Sequence, residues 1–391
     1  MIKRVVIIAA LLVLLLSPAA SAEASLPEEN FSPAELAERL NTGEMEEELN
    51  ALDRLLAEEG ADISLSRLWQ DMLSGEQPLT LSSLWQVLSD MLWGQLKKSS
   101  SLLGQLILLS LLAVVLTLLK DRLAAAETAE TGRWVIYLLL IGLATNAFIP
   151  CLETAGNTVN TLEDILCALL PLLVPLLAAI GGVTTVTLMD PALLFAVSLM
   201  MGLMSRLIFP LICFSTLLQL CGGISPRVKL DKLAALCKDI ALGVMGVTVT
   251  VFVAFLGFSG MAAAGTDGLA VKAVKSAAGT FIPVVGRSLA DAFDSVLGTA
   301  LILKNAIGLM GAIAVLLICA MPAIHILLQS LVFKAAGALI QPLGEDRLAE
   351  SVSGMGKSLT LLFAALAICG LFAYFALALI VGLGNMAMMM R

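Results

Sequence analysis

The sequence predicts an all-α fold: a polytopic α-helical membrane protein with a small helical extracytoplasmic domain at its N-terminus. Three observations lead there. Hydrophobic residues make up 59% of the chain and charged ones 14%, and the mean hydropathy of +0.98 exceeds what one soluble core can hide. After Lys98, segment succeeds segment of bilayer-spanning length with little charge between them. Ahead of them stand a secretory-type leader and a strongly acidic stretch.

The leader occupies residues 1–22. Lys3 and Arg4 precede an apolar run over 5–16, Ser17 and Pro18 break it, and Ala20-Ser21-Ala22 offers small residues where a signal peptidase reads. The run is short for an uncleaved anchor, which needs ~20 apolar residues. The segment after Ala22 is expected outside the cytoplasm.

Residues 23–100 form the expected acidic helical domain. Between positions 23 and 96 there are 16 acidic side chains against Arg39, Arg54 and Arg67, a local net charge of −13 in a chain whose total is −8. Such a surface repels nucleic acid and anionic headgroups, so its contacts are protein or solvent. Ser32-Pro33-Ala34-Glu35 has the serine, first-turn proline and glutamate of a capping box. Met45, Leu49, Leu52 and Leu56 then make one apolar stripe, and Gly60 ends it. Leu65-Ser66-Arg67-Leu68-Trp69-Gln70 returns as Leu81-Ser82-Ser83-Leu84-Trp85-Gln86. The second copy opens an amphipathic helix that runs into Trp93, Lys97 and Lys98, residues suited to a membrane interface.

Residues 101–391 are expected to be the multispanning domain. Regular spans are predicted at 102–119, 134–152, 240–262, 306–328 and 361–383. Segment 165–180 holds Pro171 and Pro175, and segment 191–220 holds Arg206 and Pro210, so both are expected to be broken or re-entrant. Lys120, Arg122 and Arg133 mark one cytoplasmic loop; Arg227, Lys229, Lys232 and Lys238 mark another. With an exported N-terminus, the loop 153–163, free of Lys and Arg, then lies outside. Returning to the cytoplasm at Arg227 requires an odd number of crossings between 165 and 220.

The stretch 267–304 departs from a plain span. On a helix, Val285, Leu289, Phe293, Val296, Ala300 and Leu303 share one face, and Arg287, Asp291, Asp294, Ser295 and Gly298 another. Gly286, Ala290, Ala292, Gly298 and Ala300 would let helices approach closely. Gly286, Arg287, Asp291, Asp294 and Gly298 are therefore the candidate lumen or assembly positions. The alternative is an interfacial helix whose charges face water.

Catalytic and metal chemistry find little support. His325 is the single histidine, so neither a multi-histidine metal site nor a histidine-based triad with a spare base can be built. It reads as a helix-end or interhelical hydrogen-bonding residue rather than a proton relay. Gly354-Met355-Gly356-Lys357-Ser358 lacks the earlier glycine of a phosphate-binding loop, since position 351 is serine, and Lys357 reads as a membrane boundary. The seven cysteines lie in or beside apolar segments without metal-ligand spacing and read as small packing residues. Asp190, directly before Pro191, reads as a helix N-cap, with an intramembrane pair to Arg206 as the alternative. No enzyme activity, cofactor or metal is expected.

Several motifs then occur in one order: Asp267-Gly268, Ile282-Pro283-Val284-Val285-Gly286-Arg287, Asp291, Lys304-Asn305-Ala306-Ile307-Gly308, Gln341-Pro342-Leu343-Gly344, Gly356-Lys357-Ser358, and Gly384-Asn385 before a methionine run and Arg391. In these the chain resembles the stage III sporulation protein AE family of endospore-forming bacteria, most specifically from Asp267 onward. The resemblance implies a membrane component of the channel complex joining mother cell and forespore. It implies the outer forespore, mother-cell-derived membrane, with the exported domain between the two membranes. Implied partners are other stage III sporulation membrane proteins, namely ring-forming subunits and a secretion-type ATPase assembly, with room for a homo-oligomer and no nucleic acid. A stand-alone secondary transporter is the competing reading; it usually shows a repeat of its membrane half, and none is visible here.

Overall fold

The computed structural model describes residues 126–179, 183–224, 230–281, 286–343 and 346–389, together with helical positions 104, 105, 107, 108, 111 and 115. Side chains of 126–134, 136, 140, 170–172, 174–190, 223–224, 259–303, 343 and 383–389 lie outside the description. So do the expected leader, the expected acidic domain and the helix expected from Leu81 to Lys98. Every described element is helical, with no strand among the described residues.

Helix α1 (Ala126–Ala179) is followed by α2 (Val183–Leu203), a π-helical turn (Met204–Ile208) and α3 (Phe209–Ile224). Then come α4 (Asp231–Phe281), α5 (Gly286–Ile340), a 3-10 turn (Gln341–Leu343) and α6 (Asp346–Met389). Five stretches are long and apolar enough to cross a bilayer: Tyr137–Leu169, Pro191–Gly222, Asp231–Phe258, Lys304–Ile340 and Asp346–Gly382.

The expected outer loop 153–163 is helix. One buried stripe, Tyr137, Ala144, Phe148, Cys151, Ala155, Val159, Leu162, Leu166, Leu169 and Leu173, recurs at helical spacing straight through it. Its hydroxyls serve the helix as well: Thr158 Oγ1 donates to the Thr154 carbonyl at 2.7 Å and Thr161 Oγ1 to that of Asn157 at 3.0 Å. Packing of that stripe on α5 and α6 overrides weak local propensity, and α1 also runs through Pro171 and Pro175.

Segment 191–220 is likewise a continuous helical run rather than a broken one. Pro210 has no N–H, and in an α-helix its ring would meet the carbonyl of Arg206. The turn widens instead, with the Phe209 N–H donating to the Met204 carbonyl five residues back. Between 165 and 222 lie the end of the candidate span Tyr137–Leu169 and one further candidate, Pro191–Gly222. Asp190 is not an N-cap, because α2 starts at Val183 and carries Pro191 inside it.

Helices α4 and α5 outrun any bilayer. At 1.5 Å per residue, the 55 residues of α5 extend about 80 Å, against ~30 Å of hydrocarbon. Their backbones are helical over 259–281 and 286–303 as well. The stretch expected as one amphipathic unit, 267–304, thus belongs to two helices.

Candidate functional site

The tightest packing joins α5 and α6, which run antiparallel. Ser330 Oγ donates to the Gly356 carbonyl at 2.7 Å and lies 2.7 Å from Thr360 Oγ1. Lys334 Nζ donates to Thr360 Oγ1. A methyl group on Gly337 would sit 2.9 Å from both the Ala349 carbonyl and Ser353 Cβ, and one on Gly356 would sit 3.0 Å from the Lys334 nitrogen and the Ser330 carbonyl. Backbone therefore rests on backbone along this seam, the geometry that small residues permit in membranes. The Gly-Met-Gly-Lys-Ser sequence is thereby explained as helix packing: Gly356 accommodates α5, and Gly354 faces Gln219 of α3.

The far end of the seam is closed by the Lys304-Asn305-Ala306-Ile307-Gly308 motif. Lys304 is fully buried, and its Nζ donates to the Val381 carbonyl at 2.7 Å. The Val381 side chain packs against Gly308. At the opposite end Tyr137 ties three helices together, its hydroxyl lying 3.0 Å from Ser351 Oγ and donating to the Leu220 carbonyl at 3.5 Å. Phe252 of α4 meets Phe372 of α6 with ring centroids 4.3 Å apart. Cys151, Cys319 and Cys369 are buried in this core as small residues, whereas Cys167 and Cys221 are exposed.

A second feature lies on the outer side of the bundle. Glu153, Gly156, Asn157 and Asn160 of α1 line a groove of about 530 Å³ with Ser205 and Arg206 of the π turn. Glu153, Asn157, Asn160 and Arg206 are all exposed. Glu153 lies within the candidate span Tyr137–Leu169 and Arg206 within Pro191–Gly222. An acid, a base and two carboxamides thus share a groove within two apolar candidate spans, where hydrocarbon is a poor solvent for them. The π turn that relieves Pro210 also carries Ser205 and Arg206 to this groove.

Of the positions expected from sequence, Gly286, Arg287, Asp291, Asp294 and Gly298 lie on the helical backbone of α5, with side chains outside the described residues. The Asp190 side chain is also outside them, and Arg206 is in the groove. His325 is half-buried within α5. The groove residues of α1 were missed because 153–163 read as a loop. Their signal was present: Glu153, Asn157, Asn160 and Asp164 recur at four, three and four residues opposite the buried stripe. Among the described residues no group of three His, Cys, Asp or Glu side chains converges as a metal site would require.

Comparison with known families decides the identity. Residues 63–384 match the family described as stage III sporulation protein AE. The chain belongs to that family. Stage III sporulation protein AE of Bacillus subtilis (strain 168) is 33% identical over 321 residues, covering 82% of this chain and 80% of the relative. No solved structure matches. The family is one of sporulation proteins, and the matched region contains the seam, the groove and positions 286–298.

Proposed function

We propose that the chain is a membrane subunit of a multiprotein, secretion-like sporulation channel linking mother cell and forespore, and is needed for forespore development. The observation that carries this reading is the groove of Glu153, Asn157, Asn160 and Arg206 on the outer side of the bundle. A stand-alone transporter encloses its intramembrane charges between its own helices. Charges turned outward within apolar spans call for water or another subunit beside them. In this reading the groove lines an aqueous path between assembled subunits, and the seam of α5 and α6 is the rigid element that holds it.

The same reading places the chain in the outer forespore membrane. The leader over 1–22 is removed, and the acidic domain over 23–100 stands between the two membranes beside ring-forming partners. The first span enters the cytoplasm, α1 leaves it, and α2 to α3 re-enter it. Arg227 and Lys229 then fall on the cytoplasmic side, as positive-inside charge bias favours. The helical extensions 259–281 and 286–303 share the side of the acidic domain. Gly286, Arg287, Asp291, Asp294 and Gly298 face a lumen or partner there.

The test is thiol chemistry in sporulating cells, in a background whose native cysteines are replaced. Thiolates form and react only where water reaches them. Asn157→Cys and Ser205→Cys are expected to react with a charged thiol reagent, whereas Phe195→Cys, on a 70% exposed apolar position of α2, stays unreactive. Silence at both groove positions would remove the aqueous path from the account.

A further inference from the structure

Three lysines from three helices meet at one edge of the apolar segments. Lys238 of α4 stands two residues before Ile240, Lys334 of α5 comes directly after Phe333, and Lys357 of α6 stands two residues before Leu359. The seam fixes two of them at the same height: Lys334 packs against Gly356, the residue before Lys357, and bonds Thr360, three residues after it. Lys238 joins them through α3: Ser215 donates to the carbonyl of Ala234, one turn before Lys238, and Gln219, one turn further along α3, packs against Gly354, three residues before Lys357, while α4 also packs on α6. Asp239 is the opposing charge close by. Lys357 is exposed, and Lys238 and Lys334 are half-buried. Ser330 and Thr360 add hydroxyl groups beside Lys334.

Helices that pack this closely bring like charges together at an electrostatic cost, which an anion between them removes. The anion present at the edge of every apolar segment is the phosphate of a membrane lipid. Basic clusters between transmembrane helices at headgroup depth are the sites that hold such phosphates. We propose that Lys238, Lys334 and Lys357 form a binding site for the phosphate of an anionic phospholipid headgroup. The bound phosphodiester bridges α4, α5 and α6, so the lipid braces the α5–α6 seam from its headgroup edge. This site is separate from the groove at Arg206, and its existence does not depend on what the assembly conducts.

The test uses full-length protein reconstituted in nanodiscs of phosphatidylcholine doped with phosphatidylglycerol, then extracted in mild detergent. Native mass spectrometry reads which lipids stay bound. The wild type is expected to retain phosphatidylglycerol over phosphatidylcholine, and each of Lys238→Gln, Lys334→Gln and Lys357→Gln is expected to lower that enrichment roughly fivefold. Arginine at all three positions preserves it. Lys232→Gln, an exposed charge six residues before Lys238, leaves it unchanged. Unaltered enrichment in the triple glutamine variant overturns the proposal, as does an equal loss in Lys232→Gln, which would mean unspecific attraction to basic helix ends. Displacement of the lipid by inorganic phosphate assigns the cluster to a free anion and overturns the lipid reading. If the triple variant does not accumulate, Lys357→Gln decides alone, because its side chain is exposed and its loss leaves packing intact.

Discussion

Replacing Gly337 by alanine adds one methyl group where two helix backbones touch. That methyl would lie 2.9 Å from the Ala349 carbonyl oxygen, 2.9 Å from Ser353 Cβ and 3.0 Å from the Ser353 nitrogen. These are backbone and Cβ atoms, so no side chain can swing aside, and α5 and α6 must separate. Overpacking of this kind costs on the order of 2 kcal/mol, roughly a 30-fold fall in the folded-to-unfolded ratio at about 1.4 kcal/mol per decade. Intrinsic helix propensity pushes the other way, since alanine is favoured over glycine by up to about 1 kcal/mol in a helix interior. Gly243→Ala isolates that opposing term, because a methyl group there meets nothing within 4 Å. The assay is denaturant-induced unfolding of the purified full-length protein in mild detergent, monitored by circular dichroism. Gly337→Ala should unfold at lower denaturant than wild type, and Gly243→Ala at the same or higher. A Gly337→Ala protein as stable as Gly243→Ala would refute the backbone-on-backbone seam.

Two further expectations rest on named contacts and positions. Ser330→Ala removes the bond to the Gly356 carbonyl and the contact with Thr360; because Thr360 retains its own bond to that carbonyl at 2.9 Å, the loss should stay near 1 kcal/mol in the same unfolding assay. Gly286→Leu, Gly298→Leu and Asp291→Leu should each abolish spore formation, with Asp291→Leu protein still abundant in membrane fractions by immunoblot; normal spore counts from all three would remove 286–298 from the functional centre.

Composition and run length suffice to read an all-helical, multispanning chain, because the bilayer allows few other solutions for segments this apolar. The predicted spans at 134–152, 240–262, 306–328 and 361–383 each overlap a candidate span of the structure. Prolines and polar side chains mislead at two places. Residues 153–163 read as a loop because Glu, Asn and Thr are poor span residues, but Glu153, Asn157 and Asn160 face away from the packed stripe, and Thr158, itself buried, and Thr161 bond to their own helix. Pro210 reads as a break because local sequence carries no sign of a π turn, which resolves the clash without ending the helix. The Gly-Met-Gly-Lys-Ser sequence fails as a phosphate loop on its spacing alone, yet its role in packing becomes visible only with the partner helix in place. The groove at Arg206 is half legible: Arg206 and Pro210 mark the segment as unusual, while the opposing Glu153, Asn157 and Asn160 emerge only once α1 is continuous.

The claim at the centre of this account is that the protein works as part of a larger membrane assembly. Affinity purification of the intact chain from sporulating cells, with the stoichiometry of everything that comes with it, tests this most directly. Recovery in a complex with other stage III sporulation membrane proteins is expected, as is loss of that complex when Gly286 or Gly298 is replaced by leucine. Recovery as a lone monomer that takes up a substrate after reconstitution would contradict it and favour a self-contained transporter.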